Sequence, residues 1–306
     1  MNEQVNPICV VHLVRYHNGI EPFRRFLESY RKNPGGIDHN LLIIFKGFNN
    51  PADIEEYECL LDHLQYSKLE LSDEGFDITA YFSAINNYSD KYRYFCFLNS
   101  YSVILDHDWL YKLYSYIIRP DVGIAGATGS WRSHRGVMPF WWLPVEVVIE
   151  IYRACLDGEG ITSLFQKGIS SIKHNIYLLS FDTAPNFHLR TNAFMISGAL
   201  MQQFKCLSIK TKTDAYKFES GKKGLSKQII KMGKKIIVVG CDGNGYEKKE
   251  WGISNTFHQS DQENLLVADN QTREYQEGNN EKRQYLSFVS WKNCFFIERL
   301  KKRLSK

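Results

Sequence analysis

Phe97-Leu98-Asn99-Ser100-Tyr101-Ser102 ends an apolar segment, Tyr92 to Leu98, in a cluster of small polar residues. Three alternations of apolar run and helix-like segment come before it. Pro7 to Val14 reads as a strand buried on both faces. Glu21 to Lys32 carries Phe23, Phe26, Leu27 and Tyr30 at helical spacing and is stopped by Asn33-Pro34-Gly35-Gly36. Leu41 to Phe45 predicts a second strand, Asp53 to Leu64 a helix, Lys68 to Leu71 a short strand and Phe76 to Tyr88 a further helix. Tyr92 to Leu98 is then the fourth strand. Such an order predicts an α/β domain with a mainly parallel sheet, right-handed crossovers and a ligand site beyond the carboxyl ends of the strands.

Downstream, Asp106 or Asp108 is expected to cap a helix running to about Ile118, and Val122 to Ala125 to form a fifth strand. Residues 138–180 hold Trp141-Trp142, apolar helical turns and no clear strand. They predict a helical insertion that covers the sheet or walls the acceptor side. His188 to Ser197 reads as a strand returning to the sheet. Leu200 to Cys206, Thr213 to Ser220 and Leu225 to Met232 read as helices, and Lys235 to Val239 as a strand. Trp251 to Tyr275 reads as polar and irregular. The expected organisation is one domain over 1–280 and a basic amphipathic helical tail over 281–306.

The chain of 306 residues has 43% hydrophobic and 24% charged residues, which suits a globular protein. Its seven cysteines are scattered, with no C-x-x-C pair, and predict reduced thiols and no zinc site. Without a secretory pattern or a spanning apolar stretch, a cytoplasmic location is expected. The net charge of +4 is uneven: residues 281–306 carry +6 and the rest −2. A near-neutral body argues against nucleic acid. The basic tail, with Phe288, Trp291, Phe295 and Leu300 broadly on one side, predicts peripheral contact with an anionic membrane surface.

Taken together, residues 5–275 resemble a GT-A-fold glycosyltransferase of the bacterial surface-polysaccharide, family-2-like type. Four features carry the resemblance. They are the N-terminal strand and helix order, Asp73-Glu74-Gly75-Phe76-Asp77 after the third strand, Asn99-Ser100-Tyr101-Ser102 after the fourth, and the polar block Thr211 to Gly221 about one hundred residues later. The stretches Val238 to Tyr246 and Leu265 to Thr272 are also similar to such enzymes. The resemblance implies transfer of a sugar from a nucleotide sugar to a glycan or lipid-linked acceptor. It places Asp73 and Asp77 at the nucleoside and the catalytic base in the later block. It also puts Tyr101 where a metal-binding aspartate would stand, and a tyrosine hydroxyl is a poor ligand for Mg²⁺ or Mn²⁺. A metal-independent donor site is therefore expected, with no cofactor.

Glycosyl transfer needs a held diphosphate and a base for the acceptor hydroxyl. Candidates for the leaving group's charge are Asn99, Ser100, Ser102, Arg190, Lys210 and Lys212. Asp214 is the expected general base, with Glu219 as runner-up, and Asp242 lies in a Gly-rich loop after a strand, a frequent ligand-side position. Asp73 and Asp77 also suit a helix N-cap. Two other readings share the α/β start: a nucleotidyltransferase making the nucleotide sugar, and a non-catalytic sugar-binding scaffold. No metal-protease histidine spacing, P-loop or dinucleotide fingerprint is present.

Overall fold

The computed structural model describes residues 7–136, 142–156, 161–204 and 209–291. The N-terminal half runs β1 (Ile8–Arg15), α1 (Glu21–Lys32), β2 (Asn40–Lys46), α2 (Pro51–Glu58), β3 (Tyr66–Leu71), α3 (Asp77–Tyr88) and β4 (Tyr94–Leu98). Then come β5 (Val103–Ile104), α4 (Trp109–Ile117), β6 (Val122–Gly126), β7 (Gly129–Ser130), α5 (Trp142–Leu156) and α6 (Ile161–Leu179). The last part runs β8 (His188–Leu189), β9 (Ala193–Ser197), α7 (Gly198–Met201), α8 (Lys212–Ser220), α9 (Leu225–Lys231), β10 (Lys235–Val239) and β11 (Gly245–Glu247). It closes with β12 (Val267–Ala268), α10 (Asn270–Gln276) and α11 (Asn280–Trp291).

Eight strands form the main sheet in the order β11-β10-β6-β9-β4-β1-β2-β3. The pairs β1–β2, β2–β3, β1–β4 and β6–β10 are parallel. The α/β class and the mainly parallel sheet expected from the sequence are thus observed. The strands read as continuous apolar runs because both faces are covered. Alternate residues of β1 separate accordingly. Cys9, Val11 and Leu13 pack with α3, α7, α8 and α9. Ile8, Val10 and Val14 pack with α1, α2 and α4.

His188 to Ser197 forms two strands instead of one. β8 pairs with β7, and β9 enters the main sheet antiparallel between β4 and β6. The intervening Arg190, Thr191 and Asn192 are the turn that lets it change partners. The segment Trp251 to Tyr275 also contains regular structure, β12 and α10. Asp269 caps α10 by accepting from the Gln271 and Thr272 amides, while its own amide donates to Thr272 Oγ1. That helix starts on a polar cap and lacks an apolar period, so the pattern of apolar residues did not reveal it. Asp108 occupies the N-cap position of α4 at φ 55° but makes no side-chain cap; its carboxylate meets His107 instead. Asp106 pairs with Lys112.

α5 and α6 fall inside the expected insertion and, among the described residues, pack chiefly against each other. At the other end, α11 is docked on the body: Trp291 meets Trp131 edge-on at 5.5 Å and its indole N–H donates to the Phe257 carbonyl at 2.9 Å. Tail residues 292–306, including Phe295 and Leu300, lie outside the described residues. Among the described residues no helix is long and apolar enough to cross a membrane.

His12 sits in the middle of β1, fully buried, 3.6 Å from the Phe26 ring and parallel to it. Neither ring nitrogen has a partner, and burial lowers its pKa to about 3. Since the folded pKa lies below the unfolded value of 6.5, this group's contribution is fully present above pH 6.5 and is lost as pH falls toward about 3. Between pH 7.5 and pH 5 the loss is about 2 kcal/mol. Urea unfolding at the two pH values should show His12→Leu losing about that much less stability than the parent chain.

Candidate active site

The order of strands reverses between β1 and β4, and in open α/β sheets ligands bind beyond the carboxyl ends of the strands at such a reversal. Four charged side chains gather on the β1–β3 side of this crevice. Arg15, the last residue of β1, grips Asp73 with two hydrogen bonds of 2.7 and 3.0 Å. Lys46, the last residue of β2, is buried and donates to the carbonyls of Ser72 (3.1 Å) and Glu74 (2.6 Å), with Asp73 3.7 Å away. Gly47 permits this junction: it has φ +78°, and a Cβ there would stand 3.0 Å from that of Asp73. The Arg15 guanidinium holds the Asp73 carboxyl below its usual range. Burial raises Asp77 against the pull of Arg15 and Lys46, and burial lowers Lys46.

Asp73 and Asp77 are therefore brought together, and neither is the N-cap of α3, a position held by Phe76 with no side-chain cap. Arg15 and Lys46 were not singled out from the sequence. Their signal was a cation ending an apolar strand run, the position where strand and ligand crevice meet.

Across the crevice the turn after β4 is internally bonded. Asn99 Oδ1 accepts from the Tyr101 amide and the Ser102 hydroxyl, each at 3.1 Å. Ser102 is fully buried and Ser100 nearly so. The Tyr101 hydroxyl donates to Asn18 Oδ1 at 3.0 Å, joining the loops after β1 and β4. From Tyr101 an open trough passes Arg25, Asn270, Arg273 and Glu274. Asn270 and Glu274 also line a cavity of about 340 Å³ that contains Arg190 and Glu219.

In that cavity Arg190 is buried and donates to Asp269 Oδ2 at 2.6 Å and to Thr128 Oγ1 at 3.3 Å. Its guanidinium lies 4.2 Å from the Phe257 ring centre. Glu219 accepts from the Thr191 amide at 3.1 Å. Burial raises its carboxyl, opposed by Arg190. His134, His188 and His258 also face the cavity, and burial holds them neutral, with pKa values lowered to about 4, 3 and 4.

Asp214 is elsewhere. It lies five positions before Glu219 in α8, which turns the two side chains about 140° apart around the axis. Its carboxylate closes a capping box with Thr211 and borders a different cavity beside Lys217 and Lys222. Lys212 is exposed, 5.7 Å above the Tyr216 ring. Asp242 accepts from Asn244 and from the Tyr246 hydroxyl in the loop between β10 and β11. Six strand spacings separate β10 from β3, about 29 Å, so Asp242 and Asp73 cannot meet one small group. A larger cavity, about 740 Å³, opens beside Pro7, Arg93 and Lys234 at the amino ends of the strands, the wrong end for this class of sheet.

No family model and no curated protein matches the sequence. The fold resembles solved structures. One is a mannosyltransferase from Pyrobaculum calidifontis in complex with GDP-Man and Mn²⁺, with a TM-score of 0.43 and 9% identity over 77% of this chain and 55% of that one. Another is core-mannan synthase A from Aspergillus fumigatus in its Mn/GDP form, with a TM-score of 0.35 and 8% identity over 71% and 64%. A third is GalNAc-T7 with UDP, GalNAc and Mn²⁺, with a TM-score of 0.32 and 17% identity over 41% and 23%. The chain thus spans less than two thirds of each of these proteins.

Against the expectation of a donor site without divalent metal, Mn²⁺ is named in all three of these structures. The described residues do not by themselves supply a cage for such an ion. No group of three or more His, Cys, Asp or Glu is placed to hold one among them, and the Tyr101 hydroxyl is engaged by Asn18.

The two arginine–aspartate pairs differ in burial and should differ in energetic consequence. Asp269→Ala leaves the Arg190 charge buried without its partner and should cost about 3–5 kcal/mol. Asp73→Ala breaks a pair whose carboxylate is 43% exposed and should cost under about 1 kcal/mol. Urea denaturation of both variants at pH 7.5 checks the difference.

Proposed function

We propose that this chain is a GT-A-type glycosyltransferase that moves a sugar from a nucleotide sugar to a glycan or lipid-linked acceptor in bacterial surface-polysaccharide synthesis. The observation that carries the reading is the cluster of Arg15, Lys46, Asp73 and Asp77 at the carboxyl ends of β1–β3, beside the reversal of strand order. Asp73 and Asp77 accept hydrogen bonds from the ribose or base. Arg15, at the mouth of the crevice, adds positive charge for the diphosphate. A nucleotidyltransferase fits less well, since a 3-10 turn over Tyr16–Asn18 follows β1 where a Gly-rich phosphate loop would be needed.

The sugar then lies along the trough toward Asn270 and Glu274, and the acceptor enters the cavity that holds Glu219. There the acceptor oxygen forms a bond to the anomeric carbon as the bond to the diphosphate oxygen breaks. The diphosphate leaves with the electron pair, and the acceptor proton goes to Glu219. A carboxylate whose pKa is raised by burial is a better base for this step than one held low by a cap, which favours Glu219 over Asp214. Thr191 fixes one Glu219 oxygen and thereby the orientation of the carboxylate.

Glu219→Gln should lower turnover about 10²- to 10⁴-fold with donor affinity nearly unchanged. Asp214→Asn should turn over close to normally. Calorimetry with UDP-, GDP- and dTDP-sugars in Mn²⁺ identifies the donor, and Asp73→Asn should weaken its binding at least about tenfold, or about 1.4 kcal/mol. Normal turnover by Glu219→Gln moves the base elsewhere, and donor binding without transfer to any acceptor favours the scaffold reading.

A further inference from the structure

The helical pair α5–α6 presents an apolar face that nothing among the described residues covers. On α5, Val145, Val148, Tyr152 and Leu156 are exposed at spacings of three, four and four. On α6, Phe165, Ile169, Ile172 and Ile176 are exposed at spacings of four, three and four. Val148, Tyr152, Leu156, Phe165 and Ile176 each expose 61–70% of their surface. Such spacing puts each set on one side of its helix. An exposed apolar surface built from two adjacent stripes marks an interaction site.

The pattern is inverted relative to a helix that packs on a core. The inner contact of the pair includes Gly168, where a Cβ would stand 3.5 Å from Ile151. The pair is anchored at the C-terminal end of α6, where Leu178 is buried and the Tyr177 hydroxyl bonds His134 at 3.0 Å. At the same end, Lys222 and Lys223 are exposed and, with Lys217, rim an apolar cavity of about 370 Å³ that includes Leu179 and Phe218. The rim carries Lys217, Lys222 and Lys223 against Asp214, a net charge of +2 at this end of the pair. All the charges on α6 are basic.

We propose that α5 and α6 lie in the interface of an anionic lipid bilayer, with the two apolar stripes seated between headgroups and the lysines at the end of α6 on the headgroup phosphates. Charge decides for this occupant. An anionic surface complements the Lys217, Lys222 and Lys223 rim at the end of α6. Neither helix meets the length and apolarity needed to cross a membrane, so the pair lies on the bilayer and does not span it. The proposal concerns a surface that includes neither Arg15 nor Asp73 and is independent of the transfer reading.

The test uses the full chain with vesicles of phosphatidylglycerol and phosphatidylcholine in equal parts, read by co-sedimentation, so no activity is needed. Two variants are compared with the parent: Phe165→Gln/Ile169→Gln/Ile172→Gln/Ile176→Gln and Val148→Gln/Tyr152→Gln/Leu156→Gln. Glutamine keeps helix propensity, and the substituted side chains are exposed, so circular dichroism and Tm should match the parent. If one variant fails to fold, the other carries the test. The parent should bind, more weakly in 0.5 M salt or on pure phosphatidylcholine, and a folded variant should bind at least tenfold more weakly. The proposal is overturned if the parent ignores the vesicles, or if every folded variant binds within tenfold of it. A parent that is a dimer made monomeric by these substitutions, with no vesicle binding, also overturns it.

Discussion

Arg190 and Asp269 form an ion pair with both side chains buried, and the arrangement of the active-site side of the sheet depends on it. Two charges taken out of water repay their desolvation only when the remaining hydrogen-bonding positions are filled. Here Arg190 also reaches Thr128 and lies over Phe257, while Asp269 accepts the first amides of α10. The two residues after Arg190 extend the same junction. The Thr191 amide holds Glu219, and the Asn192 carbonyl accepts from the Asn99 amide at the end of β4. The ends of β4 and β6 and the helices α8 and α10 are thus tied through three consecutive residues. Those residues are available for this because β9 enters the sheet antiparallel: its amino end lies among the carboxyl ends of its neighbours.

Two electrostatic settings follow along one edge of the sheet. On the β1–β3 side, Asp73 is partly solvated and gripped by Arg15, so it stays ionised and suits fixed hydrogen-bond acceptance. On the α8 side, Glu219 is held among neutral histidines and aromatic rings, and burial makes its ionised form less favourable. One carboxylate held down and another pushed up is the division expected of a binding group and a proton acceptor. The first setting uses strand ends alone. The second needs four elements folded around one cavity.

The helical pair α5–α6 belongs to a different physical regime. Elsewhere most apolar residues among the described ones turn inward, and alternate positions on β1 supply separate cores on the two faces of the sheet. In α5 and α6 the large apolar residues at helical spacing turn outward. A periodic apolar stripe predicts that one side of a helix is covered, but it does not say by what. In α1 the cover is the sheet; in α5 and α6 it is not part of the described chain.

Period and run length alone determined the alternation of β1 to β4 with α1 to α3 and the parallel α/β class, because strands buried on both faces and helices buried on one leave distinct apolar patterns. They also marked Asp73-Glu74-Gly75-Phe76-Asp77 and Asn99-Ser100-Tyr101-Ser102 as strand-end segments, since polar residues after an apolar run mark the carboxyl end of a strand. Three-dimensional pairing decided the rest. Whether Asp214 or Glu219 faces the cavity that holds Arg190 depends on which side of α8 packs inward, and five positions along that helix separate the answers. Arg190 reads in sequence as one more cation, and only Asp269, 79 positions later, turns it into a buried tie. Capping by Asp269 hid α10, because that helix begins on hydrogen bonds and carries no apolar period to announce it.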